Sequence, residues 1–283
     1  MRAFHTLRTK NRADFQIADF EIFTMILSAL EWKKYNGEIF LYTDKIGAKF
    51  IYDAGILEIW DGVNTSLNDL DDAQIDENIF WAGAKIFALT RQNFPCVMID
   101  LDFIVWQPLN FDRFKNEIAV IHRENKNIPC YPDKNFFNFK NNFALPQNLN
   151  WDLEPCNAAF VYFGNAKFVA EYVAFAFEFM RAAAPSADQK GWDLLPYMVF
   201  IEQRWLAMCA EICGVKIHNL ATLQELFDGG QNFYTHIWGH KQILRENPFE
   251  AEKFCRDCAG RIAYDFPQIA AKLSQLERFK KYF

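Results

Sequence analysis

The sequence predicts an α/β fold with a mostly parallel central sheet flanked by helices, and three observations carry that expectation. Helix-length apolar periodicity alternates with short β-rich runs over at least the first 165 residues, the rhythm of strand-helix-strand units. Pro95-Cys-Val-Met-Ile99 is an uninterrupted apolar run bounded by proline and acid, as expected of a strand buried on both faces. With 283 residues, 51% of them hydrophobic, the chain can bury the core of one large α/β domain or two small ones.

The elements follow in order. Ala3 to Leu7 reads as a short first strand; Phe15, Ala18, Ile22, Ile26 and Ala29 then line one face of a helix that stops near Asn36-Gly37. Glu38 to Thr43 is the second strand and Gly55 to Trp60 a weaker third, with the acidic Asn68 to Asp72 stretch a loop or helix cap. Asn78 to Arg91 places Ile79, Ala82, Ile86 and Leu89 at helical spacing, leading into the Pro95 to Ile99 strand.

From about Glu124 to Asp152 the sequence is rich in Asn, Phe and Pro without periodicity. A long irregular segment inside a compact domain is a functional lid or binding loop, or else a poorly ordered insertion. A strand at Ala158 to Phe163, helices at Ala166 to Ala183 and Tyr197 to Cys213, and a strand at Val215 to Asn219 follow. No internal repeat or linker interrupts the chain, so the expectation is one domain over 1–246 with a helical C-terminal appendage over 247–283.

A net charge of -6 provides no basic field for a polynucleotide, so nucleic acid is excluded as partner. The opening residues break into charge early and lack the apolar run of a secretory signal, and no apolar stretch reaches the ~20 residues of a membrane span; a cytoplasmic protein is expected. The seven cysteines are odd in number, which argues for reduced thiols. Cys255-x-x-Cys258 lacks a second Cys/His pair and reads as structural.

The strongest constellation is Pro95-Cys-Val-Met-Ile-Asp-Leu-Asp102, a buried strand running into two carboxylates one residue apart. In extended geometry residues i and i+2 point the same way, so Asp100 and Asp102 meet at the strand's C-terminal edge, where open α/β sheets bind ligands. Carboxylates so close repel unless a cation lies near them, and a hard divalent ion satisfies them. An isolated Asp-x-Asp is common; the preceding strand and the turn at Gln107-Pro108-Leu109 raise its value over acids that merely cap or solvate a loop.

Trp81-Ala-Gly-Ala-Lys-Ile-Phe-Ala-Leu89 followed by Phe94-Pro-Cys-Val-Met-Ile-Asp-Leu-Asp102 resembles the core of the nucleotide-diphospho-sugar transferases with the GT-A fold. The similarity is greatest to the bacterial branch around glycosyltransferase family 8, the lipooligosaccharide galactosyltransferase-like enzymes. It implies that Lys85 reaches the sugar donor and that Thr6, in the first strand, belongs to the donor-binding set. Cys156-Asn-Ala-Ala-Phe-Val-Tyr-Phe163 resembles the family's Asn-Ala-Gly strand, in which Asn157 and the backbone of Ala158 contact the donor sugar; Ala159 stands where glycine is usual. Glu202-Gln203-Arg-Trp-Leu206 resembles the acidic-Gln-x-x-Leu helix, which implies that Glu202 and Gln203 border the reaction centre. His236-Ile-Trp-Gly239-His-Lys241 resembles the His-x-x-Gly-x-x-Lys segment with its lysine one residue early.

A lone histidine on an apolar strand is more often a satisfied core residue than a ligand. The resemblance implies that His236, 134 residues beyond Asp102, ligates the metal, and that Lys241 neutralises diphosphate charge. A carboxylate and imidazole set favours Mn²⁺ over Ca²⁺, with Mg²⁺ an alternative. The expected reaction is transfer of a sugar from a UDP-sugar or similar nucleotide-sugar donor to a hydroxyl of a surface glycan or glycolipid precursor, with retention if the resemblance extends to stereochemistry. Asn157, Glu202 and Gln203 are then the candidate catalytic residues.

Two rivals stand beside it. A nucleotidyltransferase would place a glycine-rich loop after the first strand, and His5 to Arg12 contains no glycine. A non-catalytic sugar-binding protein on a degenerate transferase fold would explain Ala159 and the altered Lys241 spacing. Tyr131, Trp151 and Trp192 are acceptor-site candidates or packing residues, and the basic aromatic end Arg278 to Phe283 is a solvated helix end or a contact for an anionic membrane surface.

Overall fold

The computed structural model describes residues 1–10 and 12–283 of the chain, and Asn11 lies outside the described residues. The elements run β1 (Ala3–Leu7), α1 (Asp19–Tyr35), β2 (Ile39–Thr43), α2 (Lys45–Asp53), β3 (Gly62–Asn64), α3 (Gly83–Leu89), β4 (Cys96–Ile99), β5 (Phe103–Val105) and β6 (Ile118–Val120). They continue with β7 (Phe160–Phe163), α4 (Ala166–Ala182), α5 (Leu195–Val199), α6 (Trp205–Ile212), β8 (Ile217–Asn219), α7 (Leu223–Phe227), β9 (Tyr234–His236), α8 (Lys241–Glu246), α9 (Pro248–Asp265) and α10 (Pro267–Leu273). The class is α/β, with a mostly parallel seven-stranded central sheet flanked by helices. Among the described residues, no helix is long and apolar enough to cross a membrane.

The chain forms two compact units, residues 1–66, 99–110 and 226–283 in the first, 67–98 and 111–225 in the second. In the first, β3, β2 and β1 lie side by side and parallel, while β5 and β9 form a separate antiparallel ribbon. Helix α1 is buried at Phe20 and along the whole run from Ile22 to Trp32, so it is buried around its circumference rather than along one face. Helix α9 packs against it, and Arg278 and Tyr282 near the C-terminus reach Asp19 at 2.6 and 2.7 Å. Phe23 of α1 packs on Phe279 and Tyr282 at 5.5 and 5.3 Å between ring centres, so the C-terminal residues help close this unit's core.

In the second unit, β4, β7, β6 and β8 follow one another, β6 antiparallel to β7 and parallel to β8. Its core includes the fully buried rings of Phe80, Phe160, Tyr162, Phe163, Phe168, Tyr172, Phe179 and Tyr197.

Several boundaries differ from the sequence expectation. Gly55 to Trp60 is not a strand: a single 3₁₀ turn at Leu57–Ile59 precedes β3 at Gly62–Asn64. The helix expected from Asn78 begins only at Gly83. The helix expected from Tyr197 to Cys213 is continuous in direction but contains a π-helical turn at Phe200–Arg204. The aperiodic segment from Glu124 to Asp152, expected to be a lid, a binding loop or a poorly ordered insertion, lacks strands yet is tied down: Tyr131, Phe137 and Leu149 are buried, and Phe137 packs on Phe179, Tyr197 and Phe200 at 4.8–5.7 Å between ring centres. Short β5 and β6 and helix α2 carry no periodic signal long enough to read.

Candidate metal and donor site

The two acids do not leave β4 in extended geometry. The strand ends at Ile99, and the Phe103 amide donates to the Asp100 carbonyl at 3.0 Å, so Asp100 to Phe103 is a tight turn joining β4 to β5. The carboxylates converge through that turn instead of through strand alternation. The third partner arrives by strand register. β5 pairs antiparallel with β9, Phe103 sits opposite His236, and the Ile237 amide donates to the Asp102 carbonyl at 3.3 Å. One ligand atom from each of Asp100, Asp102 and His236 lies within 4.8 Å of the other two.

Asp102 is buried, with His236 Nε2 3.6 Å and Lys241 Nζ 2.8 Å from its Oδ2. Burial pushes its carboxyl up, but the nearby His236 and Lys241 outweigh burial and hold it below the usual carboxylate range. The site therefore presents an ionised carboxylate, a second acid and an imidazole, oxygen and nitrogen donors that suit a divalent metal ion. Expected ligands Asp100, Asp102 and His236 are brought together, and Lys241 joins them despite its shifted spacing. Trp238 beside them is 70% exposed.

Thr6 lies in β1 opposite Tyr42 in the parallel ladder and is half-buried. The loop after β1 is organised by a residue the sequence reading passed over. Asp44, fully buried at the N-cap of α2, accepts from the Thr9 amide and hydroxyl at 2.8 and 2.7 Å, from the Gly47 amide at 2.8 Å and from Arg8 at 3.2 Å. An N-cap aspartate after a strand was the available signal.

The second unit gathers the remaining candidates. Lys85 Nζ pairs with Glu202 Oε1 at 2.5 Å and donates to the Ala158 carbonyl at 3.3 Å. Asn157 is fixed on both sides of its amide, Oδ1 accepting from the Ala159 amide at 3.0 Å and Nδ2 donating to Glu124 at 2.7 Å. Gln203 accepts a short hydrogen bond from the Tyr131 hydroxyl, and its carbonyl accepts from the Cys156 amide at 3.1 Å. Glu202 and Gln203 both lie on the π-helical turn, a distortion frequent at functional sites. Sequence reading missed Glu124 and Arg204. Arg204 donates to the carbonyls of Tyr131, Pro132 and Trp151 at 3.1, 2.6 and 3.2 Å and lies 5.0 Å from the Trp151 ring centre. Nothing in their spacing pointed to either role. Trp192 is 79% exposed.

None of the seven cysteines is in a disulfide, and Cys255 and Cys258, read from the sequence as structural, are buried in α9. A family model described as Family of unknown function (DUF6734) matches residues 4–275. No curated protein matches the sequence. Among solved structures, the chain is similar to the apo form of mouse xyloside xylosyltransferase 1, with a TM-score of 0.42 and 10% identity over 77% of this chain and 84% of that one.

Proposed function

The chain belongs to the family of unknown function DUF6734, which brings no activity with it, and we propose from its own residues that it is a metal-dependent glycosyltransferase. The observation that carries this reading is the convergence of Asp100, Asp102 and His236 within 4.8 Å, with Lys241 beside them. Two carboxylates and an imidazole following a buried β-strand suit a divalent ion that also binds diphosphate oxygens. The sequence resemblance to family 8 of the GT-A transferases supports the same assignment.

In this reading Asp100, Asp102 and His236 hold Mn²⁺ or Mg²⁺ against the diphosphate of a nucleotide-sugar, with a UDP-sugar the proposed donor. The ion supplies Lewis acidity that stabilises the charge developing on the departing nucleoside diphosphate. Lys241 adds a second positive charge to the same leaving group. Thr6 belongs to the donor-binding set. In the second unit, the resemblance gives Lys85, Asn157 and the Ala158 backbone to the donor and Glu202 and Gln203 to the transferred sugar. Glu202 is paired with Lys85, and in this reading it stabilises oxocarbenium-like charge rather than acting as a base. Retention of anomeric configuration, and a surface glycan or lipid-linked hydroxyl as acceptor, complete the proposal. Seven free thiols fit a cytoplasmic setting.

The test is calorimetric titration of UDP and of UDP-sugars in the presence of Mn²⁺ into the wild-type chain and the Asp100→Asn and Asp102→Asn variants. Metal-dependent binding to the wild type and its loss in both variants is the expected result. Unchanged UDP affinity in both would remove the basis of the reading.

A further inference from the structure

Ser28 and Thr24 sit one turn apart in α1, both fully buried hydroxyls in a helix interior, and they spend their protons differently. Thr24 Oγ1 donates back to the Phe20 carbonyl at 2.7 Å, the usual solution for a hydroxyl with nowhere else to turn. Ser28 Oγ instead donates out of the helix to the carbonyl of Phe103 at 2.5 Å. Behind it stands His5 of β1, whose Nε2 is 3.0 Å from Ser28 Oγ, and behind His5 stands Trp60, whose Nε1–H donates to His5 Nδ1 at 3.1 Å.

Donor logic fixes the whole chain. An indole N–H can only donate, so His5 Nδ1 accepts and Nε2 carries the proton. Nε2–H donates to Ser28 Oγ, leaving the hydroxyl proton for Phe103. Burial pulls the His5 pKa down to about 3 although the Asp102 charge pushes it up, so one neutral tautomer persists across the working pH range.

Phe103 is where this chain ends, and every member of the metal triad is tied to that residue. Its amide closes the turn on Asp100, Asp102 precedes it in sequence, and His236 is its partner across the β5–β9 ladder. A network serving only to satisfy a buried histidine could end on any carbonyl. We propose that Ser28 and His5, backed by Trp60, are positioning residues that set the spacing of Asp100, Asp102 and His236 through Phe103. This rests on the metal-site reading above. Groups that orient a ligand set from behind commonly change metal affinity by about 10–100-fold when lost.

The test is Mn²⁺ binding followed by electron paramagnetic resonance, with the thermal melt of each full-length variant recorded so that affinities are compared on folded protein. Ser28→Ala and His5→Phe are expected to weaken Mn²⁺ by about 10-fold and to alter the bound-ion linewidth. His5→Gln, whose amide can accept from Trp60 and donate to Ser28, is expected to stay within about 3-fold of wild type, and Trp60→Phe to fall between them. Should Ser28→Ala or His5→Phe fail to fold, the ordering of Trp60→Phe below His5→Gln decides. Wild-type affinity and linewidth in Ser28→Ala, or in Trp60→Phe where that variant decides, overturn the proposal while leaving the metal site standing. Asp102→Asn binding Mn²⁺ as well as wild type would instead sink the metal reading and this proposal with it.

Discussion

Lys241 Nζ lies 2.8 Å from Asp102 Oδ2, so a fixed positive charge occupies an oxygen that a divalent ion would use. The lysine is thus both a competitor of the free ion and, once a diphosphate arrives, its complement. Lys241→Met is expected to raise Mn²⁺ affinity several-fold without nucleotide, because a like charge next to the site is removed. The same variant is expected to lower turnover with a nucleotide-sugar. Mn²⁺ titration and initial rates read the two effects separately; weaker Mn²⁺ binding would mean that Lys241 holds the ligands in place.

His236→Ala is expected to weaken metal affinity and activity together by about 10-fold or more. It also removes the neighbour that most strongly counters the burial of Asp102. A depressed carboxylate contributes stability above its unfolded pKa that is lost as pH falls through the folded value, so this variant's acid unfolding should begin at higher pH. Full activity in His236→Ala would return the residue to simple packing.

Glu31 in α1 is completely buried, neither of its oxygens accepts a hydrogen bond among the described residues, and the Lys34 and Arg261 nitrogens stand 3.8 Å away. Burial, reinforced by Asp265, pushes its pKa up to about 7 against the pull of those cations. A raised carboxyl is most favourable when protonated, so its contribution is fully present below about pH 4.5 and is lost as pH rises to about 7. Glu31→Gln is therefore expected to stabilise the protein at pH 8 by about 2–3 kcal/mol and to change little near pH 4.5. Chemical denaturation at both pH values checks it; destabilisation at pH 8 would mean that Glu31 works as an ion-pair partner of Lys34 and Arg261.

Arg204 ties the carbonyls of Tyr131, Pro132 and Trp151 from within the π-helical turn. Arg204→Met is expected to cost about 2–4 kcal/mol, since three carbonyls lose charged donors. Hydrogen exchange in the wild type is expected to show protection at the buried anchors Tyr131 and Phe137 regardless of ligand. Ligand-dependent protection should be confined to the exposed outer stretch near residues 140–148. Equal exchange of that outer stretch with and without UDP-sugar and Mn²⁺ would make the whole segment a static insertion.

What the sequence determined by itself is local. Alternating periods of apolar residues are enough for the α/β class, and an apolar run ending in Asp100-Leu101-Asp102 is enough to single out a candidate ligand edge, because burial and repulsion act within a few residues. The tertiary structure decided what joins those acids. His236 reaches them only because β5 and β9 pair in one register, and a shift by a single residue would turn it to the other face of the ribbon. The direction of the Ser28 hydroxyl, toward Phe103 rather than back along its helix, is likewise invisible in a helical period. So is the raised Glu31 carboxyl, whose burial depends on α9 arriving from more than 200 residues away. Pairings between distant segments are set by the packing of the whole unit, and no short stretch of sequence contains the partner that fixes them.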